Sequence, residues 1–266
     1  MKDYILIVLF LFGFFLYLAE DRIKAQETSD KPYFRMDSVV RLENDNVLTQ
    51  IKTSTIFSDG AVFDFIGDNG EITIYRPDSK NFILLDPIHR IQTELALEDI
   101  DQFLDRIREL LVQKDDKFNQ FMAKPEFDFS KSEDDKEFLF QSKWIDYRIK
   151  TVPFEDPGII DSFFDFSDAY SKLNIYLNPG TTTPFARIHI NQILKKEVRF
   201  PEQFTLSVYP GGKRLFSRAV KIESRHTIIR RLSEKDKGRI IRALHFVEQF
   251  QKLPFGKYQK GLQKTL

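Results

Sequence analysis

The side chains able to do acid–base or metal chemistry are scattered along this sequence. It contains four histidines, none of which stands at the short spacing typical of metal ligands: His89, His189, His226 and His245. Cysteine is absent, which excludes disulfides, thiolate metal sites and thiol catalysis. The sequence shows neither a Gly-x-Ser-x-Gly nucleophile motif nor a phosphate-binding glycine loop. We therefore expect no enzyme: no catalytic residue, no metal site and no cofactor.

Two groups of acidic residues lie close enough in the sequence to suggest a cation site: Asp59, Asp64, Asp68 and Glu71, and Asp161, Asp165 and Asp168. The first group does not follow the ligand spacing of a twelve-residue calcium loop, and hairpin turns account for Asp59 and Asp68. The second group has the spacing of one helix face, which is typical of the solvent side of a helix. Neither group predicts a bound metal ion.

Aromatic residues are the chemical outlier, with 27 Phe and 9 Tyr among 266 residues. Many of them fall in segments that read as β-strands, where rings pack readily. Phe63 and Phe65 stand two positions apart, so they point to the same face of their predicted strand. Such a face is covered by helices or filled by a ligand, and both interpretations stay open because cores and pockets draw on the same residues.

The elements that position these residues begin with a predicted meander over residues 35–97. Its turn signals are "NDN" at 44–46, "SDG" at 58–60 and "GDNG" at 67–70. Asp, Asn and Gly tolerate the positive φ of tight hairpin turns. Because the connections are too short for parallel crossovers, we predict five or six antiparallel strands.

Helical periodicity follows the meander and returns near the end of the chain. It predicts helices over 98–112, 156–173 and 184–198, and a last helix that begins near Ser233. Alternating segments between them predict one long strand over 138–154 and two strands joined at "PGG". The chain is therefore predicted to be α+β, with an antiparallel sheet.

The N-terminal segment predicts where the protein is located. Residues 4–19 carry no charge, and this length lies between that of a signal peptide and that of a spanning helix. We assign residues 1–25 to a signal peptide or an N-terminal membrane anchor, and both favour export to the periplasm or cell envelope. The charges that flank the segment do not fix its orientation, so a domain that faces the cytosol stays open. Residues 26–34 then form a polar tether, 35–253 a single α+β domain and 254–266 a basic tail.

Charge excludes one class of partner. The 40 basic and 40 acidic residues balance, so no overall positive field attracts nucleic acid. Basic side chains are also not interleaved with the aromatic residues as they are in proteins that stack nucleic-acid bases. We expect no nucleic acid among the partners, while the N-terminal segment contacts a membrane.

The meander carries a resemblance to a known family. "SDG" at 58–60, leading through strands to "YRP" at 75–77, resembles the periplasmic lipoprotein-carrier (LolA-like) proteins over residues 35–97. The resemblance implies a curved, half-barrel-like antiparallel sheet with three to four helices packed on one face, and an acyl chain carried there. It also implies that Phe63, Phe65 and Tyr75 line an apolar ligand cavity.

These observations predict an exported or membrane-anchored, non-catalytic envelope protein that binds a lipid or acyl chain. The alternative is a membrane-tethered structural or interaction module with no small-molecule ligand, whose basic C-terminus contacts a partner. The sequence does not name a protein partner.

Overall fold

The structure is a computed structural model that describes residues 33–44, 47–67, 70–179, 181–209, 211–213 and 220–263. The predicted signal peptide or anchor over 1–25 lies outside the described residues, as do most of the predicted tether and the end of the predicted tail. Among the helices of these ranges, none is both long enough and apolar enough to cross a membrane.

Twelve strands of the described chain form a single sheet. They are β1 Phe34–Asn44, β2 Val47–Ser58, β3 Ala61–Ile66, β4 Glu71–Arg76, β5 Asn81–Asp86, β6 Ile91–Ala96, β7 Asp128–Lys131, β8 Glu137–Gln141, β9 Ile145–Pro153, β10 Arg199–Val208, β11 Val220–Ile229 and β12 Gln251–Lys252. Their order across the sheet is β12-β6-β5-β4-β3-β2-β1-β11-β10-β9-β8-β7. The β12–β6 pair is parallel and the other pairs are antiparallel.

The sheet is curved and unclosed, since β12 and β7 stand at its two ends. The predicted meander is confirmed as β1 to β6, each strand paired antiparallel to the next. Asp59 and Gly60 join β2 to β3 with φ values of 50° and 71°. Two successive positive φ angles match the right-handed twist of a tight hairpin, so the "SDG" signal is a turn.

Six helices lie within the described ranges. They are α1 Leu97–Gln113, α2 Lys117–Ala123, α3 Pro157–Leu177, α4 Phe185–Lys196, α5 Glu234–Gln249 and α6 Phe255–Gln263. The Asp156 carboxylate caps α3 by accepting the backbone N–H of Ile159. At α5, Ser233 and Asp236 form a reciprocal capping box. Both caps satisfy backbone donors that a helix N-terminus leaves unpaired.

The two faces of the sheet carry separate cores. On the face that we call the main face, rings from the strands pack against α1, α2, α3, α4 and α6; the largest fully buried side chains of this core are Phe34, Phe82, Phe138, Phe140, Phe163 and Phe164. On the opposite face, α5 places Ile240 and Ala243 against strands β2 to β5. The predicted fold class is confirmed, and the structure adds that the last long helix lies across the sheet from the others.

Two local predictions differ from the structure. The single strand predicted over 138–154 is a hairpin of β8 and β9, because the Ser142 hydroxyl accepts the backbone N–H groups of Trp144 and Ile145 and closes a turn. Within the predicted basic tail, α6 packs onto the core: Tyr258 is buried, and the Phe255 ring stacks on Tyr176 with centroids 5.1 Å apart. Apolar residues three positions apart give this short helix a buried stripe.

Candidate ligand-binding site

The three predicted lining residues do not share a face of the sheet. Phe63 pairs across the strands with Ile74, whereas Tyr75 pairs with Val62 and is therefore one position out of phase. Phe63 and Phe65 lie in the opposite-face core beneath α5, and Tyr75 lies in the main-face core. The structure does not bring the three side chains together, and the lining role of each stays a prediction.

Each of these rings has protein neighbours. The guanidinium carbon of Arg239, on α5, lies 3.9 Å from the centroid of the Phe65 ring. The Tyr75 ring lies 4.8 Å from that of Phe82. Burial raises the pKa of the Tyr75 hydroxyl, and its hydrogen bond to the Asp165 carboxylate raises it further.

The acidic residues near these rings are also accounted for by protein contacts. Asp64 is buried on the main face, where it accepts a hydrogen bond of 2.7 Å from Thr55 Oγ1. Burial raises the pKa of Asp64, with hydrogen bonds from Thr55 and Tyr170 acting in the other direction. Among the residues that the structure describes, no group of three or more His, Asp or Glu side chains is placed to hold a metal ion.

The main face has one end that the helices leave partly uncovered. Strands β1 and β2 have 11 and 12 residues, whereas β3 to β6 have six each. The β3 partner of β2 begins only at Thr53, so the first half of β2 extends beyond the meander. Apolar residues on the main face of this end are exposed or half-buried, and we call them the open apolar surface: Val40, Leu42, Ile51, Leu206, Val208 and Ile222.

Strand pairing makes the open apolar surface continuous. Leu42 of β1 pairs with Ile222 of β11, which pairs with Leu206 of β10. Neighbouring strands lie about 4.8 Å apart, so these side chains stand in one row across the sheet. Leu206 and Val208 also pack against the main-face core. The surface is thus an exposed extension of that core.

A polar cluster lies beside this surface, and its central residue is Arg187 at the start of α4. Its guanidinium carbon stands 3.5 Å from the centroid of the Phe204 ring on β10, two residues before Leu206. On β11, the His226 ring nitrogen Nδ1 is 2.8 Å from the Ser38 hydroxyl of β1. From α4, the Asn191 amide donates to the Asp168 carboxylate of α3 at 2.6 Å.

Burial sets the charges of this cluster. It lowers the pKa of Arg187 to about 10, so the guanidinium remains charged at neutral pH. Burial, followed by the nearby Arg187 cation, lowers the pKa of His226 to about 3, so this imidazole is neutral. Burial also raises the pKa of Asp168, against the effect of its hydrogen bond from Asn191. The cluster therefore combines a cation with a neutral imidazole.

The Arg187 guanidinium is incompletely paired. Its Nη2 lies 3.5 Å from the Ser167 hydroxyl, which is a weak contact, and Nε is shielded from solvent without a hydrogen-bond partner. Asn191 Oδ1 is likewise buried without a partner. Polar groups removed from water are usually hydrogen-bonded, so these two atoms show where the fold leaves hydrogen-bonding capacity unused.

A cleft with a volume of about 920 Å³ lies away from this surface, between α1, α3 and α4. Its apolar lining includes Leu104, Ala123 and Phe185. The charged residues around it pair with one another: Lys172 with Asp101 at 2.8 Å, Lys124 with Glu126 at 3.8 Å, and Arg108 with Asp105 at 4.0 Å. These pairs are partly or largely exposed to solvent, where ion pairs are weak, whereas Arg187 is a buried cation with unpaired donors.

Sequence reasoning missed Arg187 and His226 as site residues. Within α4, Arg187 and Asn191 stand four positions apart, so they lie on the same side of the helix. The available signal was that these two polar residues share a helix stripe with the apolar Ile190 and Leu194, which indicates that they face the core. For His226 the sequence offers only alternation along a strand, which does not say which face is buried.

Comparison with known proteins returned a weak structural likeness. No protein-family model matches the chain, and no curated protein matches it. Among solved structures, it is similar to the crystal structure of a LolA superfamily protein from Nitrosomonas europaea, with a TM-score of 0.27 and 8% sequence identity. The match covers 78% of this chain and 90% of that protein. The weak resemblance expected from "SDG" and "YRP" is confirmed at this level.

Proposed function

We propose that this chain is an exported, non-catalytic protein that binds a lipid or acyl chain on the open apolar surface. The observation that carries the proposal is the continuous row of apolar side chains that extends the main-face core into solvent. Contiguous apolar surface of this kind is characteristic of binding sites. Each methylene group that leaves water on such a surface contributes about 0.8 kcal/mol.

The polar cluster supports a binding role over a catalytic one. Ser38 and His226 are within hydrogen-bond distance, as a nucleophile and its base would be. However, an imidazole with a pKa of about 3 is a weak base at neutral pH, where general bases work best with a pKa near the pH of the reaction. The other ring nitrogen faces the Ser224 hydroxyl at 3.4 Å rather than an orienting carboxylate.

The uncharged segment 4–19 supports the proposed export, because it is typical of a signal peptide or a membrane anchor. N-terminal sequencing of the mature protein from cell fractions tests this part of the proposal. A first residue of Gln26 in the envelope fraction indicates a cleaved signal, and Met1 in the membrane fraction indicates an anchor. An intact protein in the soluble cytoplasmic fraction would contradict export.

Native mass spectrometry of the purified full chain tests the ligand. We expect a bound species with the mass of a lipid or fatty acid, and we expect Leu42→Asp to lose it because a carboxylate would stand in the apolar row. Leu244→Asp is the matched control, since Leu244 is 42% exposed on α5 and Leu42 is 36% exposed on β1. A lipid-free wild-type protein that also fails to take up added lipid would refute ligand binding.

A second candidate is the interaction module without a small-molecule ligand. The observation that favours it is the outer side of α5, where Ile241 and Leu244 are exposed three positions apart. Apolar pairs at this spacing suit contact with a protein surface. A lipid-free wild-type chain whose complex with a partner is lost in Leu244→Asp would support this candidate.

A further inference from the structure

We propose that the Arg187 guanidinium binds the carboxylate of a fatty acid whose acyl chain lies along the open apolar surface. This inference rests on the proposed function and gives it a ligand class and an orientation. It starts from the contrast between a charged group that lacks hydrogen-bond partners and the apolar row beside it.

The first step concerns the need of Arg187 for a partner. Within the described residues, its hydrogen bonding is limited to the 3.5 Å contact with Ser167, and Nε has no acceptor. Asp168 is close enough for its charge to interact with Arg187, but no hydrogen bond joins them, and its Oδ1 accepts from Asn191. Buried donors that are left unpaired are costly, so an acceptor supplied by a ligand would be favoured.

The second step concerns position. Phe204, beneath the guanidinium, pairs with Ser224 of β11, and the next main-face pair along the same two strands is Leu206 with Ile222. A group bound to Arg187 therefore stands next to the apolar row. From Phe204 to Val208, β10 advances about 13 Å at about 3.3 Å per residue. An extended chain of many methylene groups fits along this path.

The third step concerns the charge of the ligand. Arg187 supplies one cation and the nearby His226 is neutral. Asp168 is close enough to interact with Arg187, and burial raises the pKa of its carboxyl. A ligand with one negative charge meets one cation here, whereas a doubly charged ligand would also bring its second charge near the Asp168 carboxyl. The planar guanidinium also matches the geometry of a carboxylate, to which it can donate two parallel hydrogen bonds. These features select a carboxylate attached to an apolar chain.

The test compares palmitate with its methyl ester, which has the same chain but no charge. Equilibrium binding is measured on the delipidated full chain. We expect the wild-type protein to bind palmitate at least about tenfold more tightly than the ester, since hydrogen bonds to charged groups are stronger than those between neutral groups. Arg187→Gln should bind both ligands equally, at the affinity that the wild type shows for the ester.

Arg239→Gln is the matched control, because Arg239 also stacks on a ring but does so on the opposite face. It should keep the wild-type preference for palmitate. Retained ester binding shows that the Arg187→Gln variant is folded. If Arg187→Gln does not bind the ester, Arg187→Met is tested instead, and it must lose the preference for palmitate over the ester.

The outcomes separate this inference from the proposed function. A wild-type chain that binds both ligands equally, or an Arg187 variant that keeps the preference, would overturn the carboxylate site while lipid binding stands. A wild-type chain that binds neither ligand overturns both.

Discussion

The two faces of the sheet each hold a partly buried arginine, and the two differ in their partners. On the opposite face, Arg35 donates to both carboxylate oxygens of Asp236 at 2.9 and 3.0 Å and to Asp37 at 2.9 Å. On the main face, Arg187 has its weak contact to Ser167 and an unpaired Nε. Nε is buried without a partner in both side chains, so the two arginines differ at their terminal nitrogens, which Arg35 pairs with carboxylates and Arg187 does not.

The pKa values of the two side chains shift in opposite directions. Burial favours a lower pKa for Arg35, but its hydrogen bonds to Asp236 and Asp37 outweigh it and the pKa is raised. With no such bonds, burial lowers the pKa of Arg187 to about 10. Arg35 therefore helps to hold α5 against the opposite face of the sheet, whereas the terminal nitrogens of Arg187 on the main face lack carboxylate partners.

The largest effect that tests this comparison is expected on the opposite face. Asp236→Ala removes the capping box of α5 and leaves Arg35 without its main acceptor. Because Asp236 is only 1% exposed, we expect the free energy of unfolding to fall by about 3 kcal/mol in urea denaturation. Asp37→Ala, which removes an exposed partner of the same arginine, should cost less than about 1 kcal/mol. Equal losses of unfolding free energy in the two variants would show that the buried Arg35–Asp236 contact does not stabilise the fold more than the exposed Arg35–Asp37 contact.

The second effect is a pH dependence that belongs to the main face. His226 has a pKa of about 3 in the folded protein, below the value of about 6.5 expected after unfolding. Between these values the unfolded chain binds the extra proton, so stability is fully present above about pH 6.5 and is lost as the pH falls toward 3.

His226 contributes at most about 1.4 kcal/mol per pH unit to the slope of the free energy of unfolding against pH. This contribution should disappear in His226→Gln. Urea denaturation at a series of pH values between 4 and 7 measures it. His245→Gln, at an exposed position on α5, should leave the slope unchanged. A slope that survives in the His226 variant would mean that other groups produce it.

The third effect is a change in the free energy of unfolding that differs in sign between variants of the two arginines. Arg187→Met should leave the free energy of unfolding of the lipid-free protein unchanged or raise it by about 1 kcal/mol, because an under-paired charge is replaced by an apolar chain. Arg35→Met should instead lower it by about 3 kcal/mol, because the buried Asp236 loses its partner. Urea denaturation compares the two. If Arg187→Met is as destabilising as Arg35→Met, the main-face arginine is structural.

The sequence predicted well those features that depend on local order. The meander follows from turn residues such as Asp59 and Gly60, whose backbone conformation is set within the hairpin itself. The start of α5 follows from Ser233 and Asp236, whose reciprocal cap also needs no tertiary contact. These elements could be located because neighbours in the chain determine them.

The face of each ring could not be predicted in the same way. Alternation shows that Phe63 and Phe65 share a face but not whether helices from later in the chain cover that face or the other. The register between β3 and β4 then separates them from Tyr75. The open apolar surface and Arg187 depend on pairings across more than a hundred residues, which local patterns do not encode.

The smallest effect on stability should give the clearest difference in binding. Ile51 is 45% exposed on the open apolar surface, and Ile241 is 67% exposed on α5. Replacing either by Thr should change the free energy of unfolding by less than about 0.5 kcal/mol, since neither side chain is part of a packed core. Only Ile51→Thr should weaken palmitate binding, by a few-fold, because the hydroxyl replaces apolar contact with the acyl chain. Equal palmitate affinity in the two variants would show that the acyl chain does not contact Ile51 on β2. Weaker binding in Ile241→Thr would show that the chain binds on the opposite face.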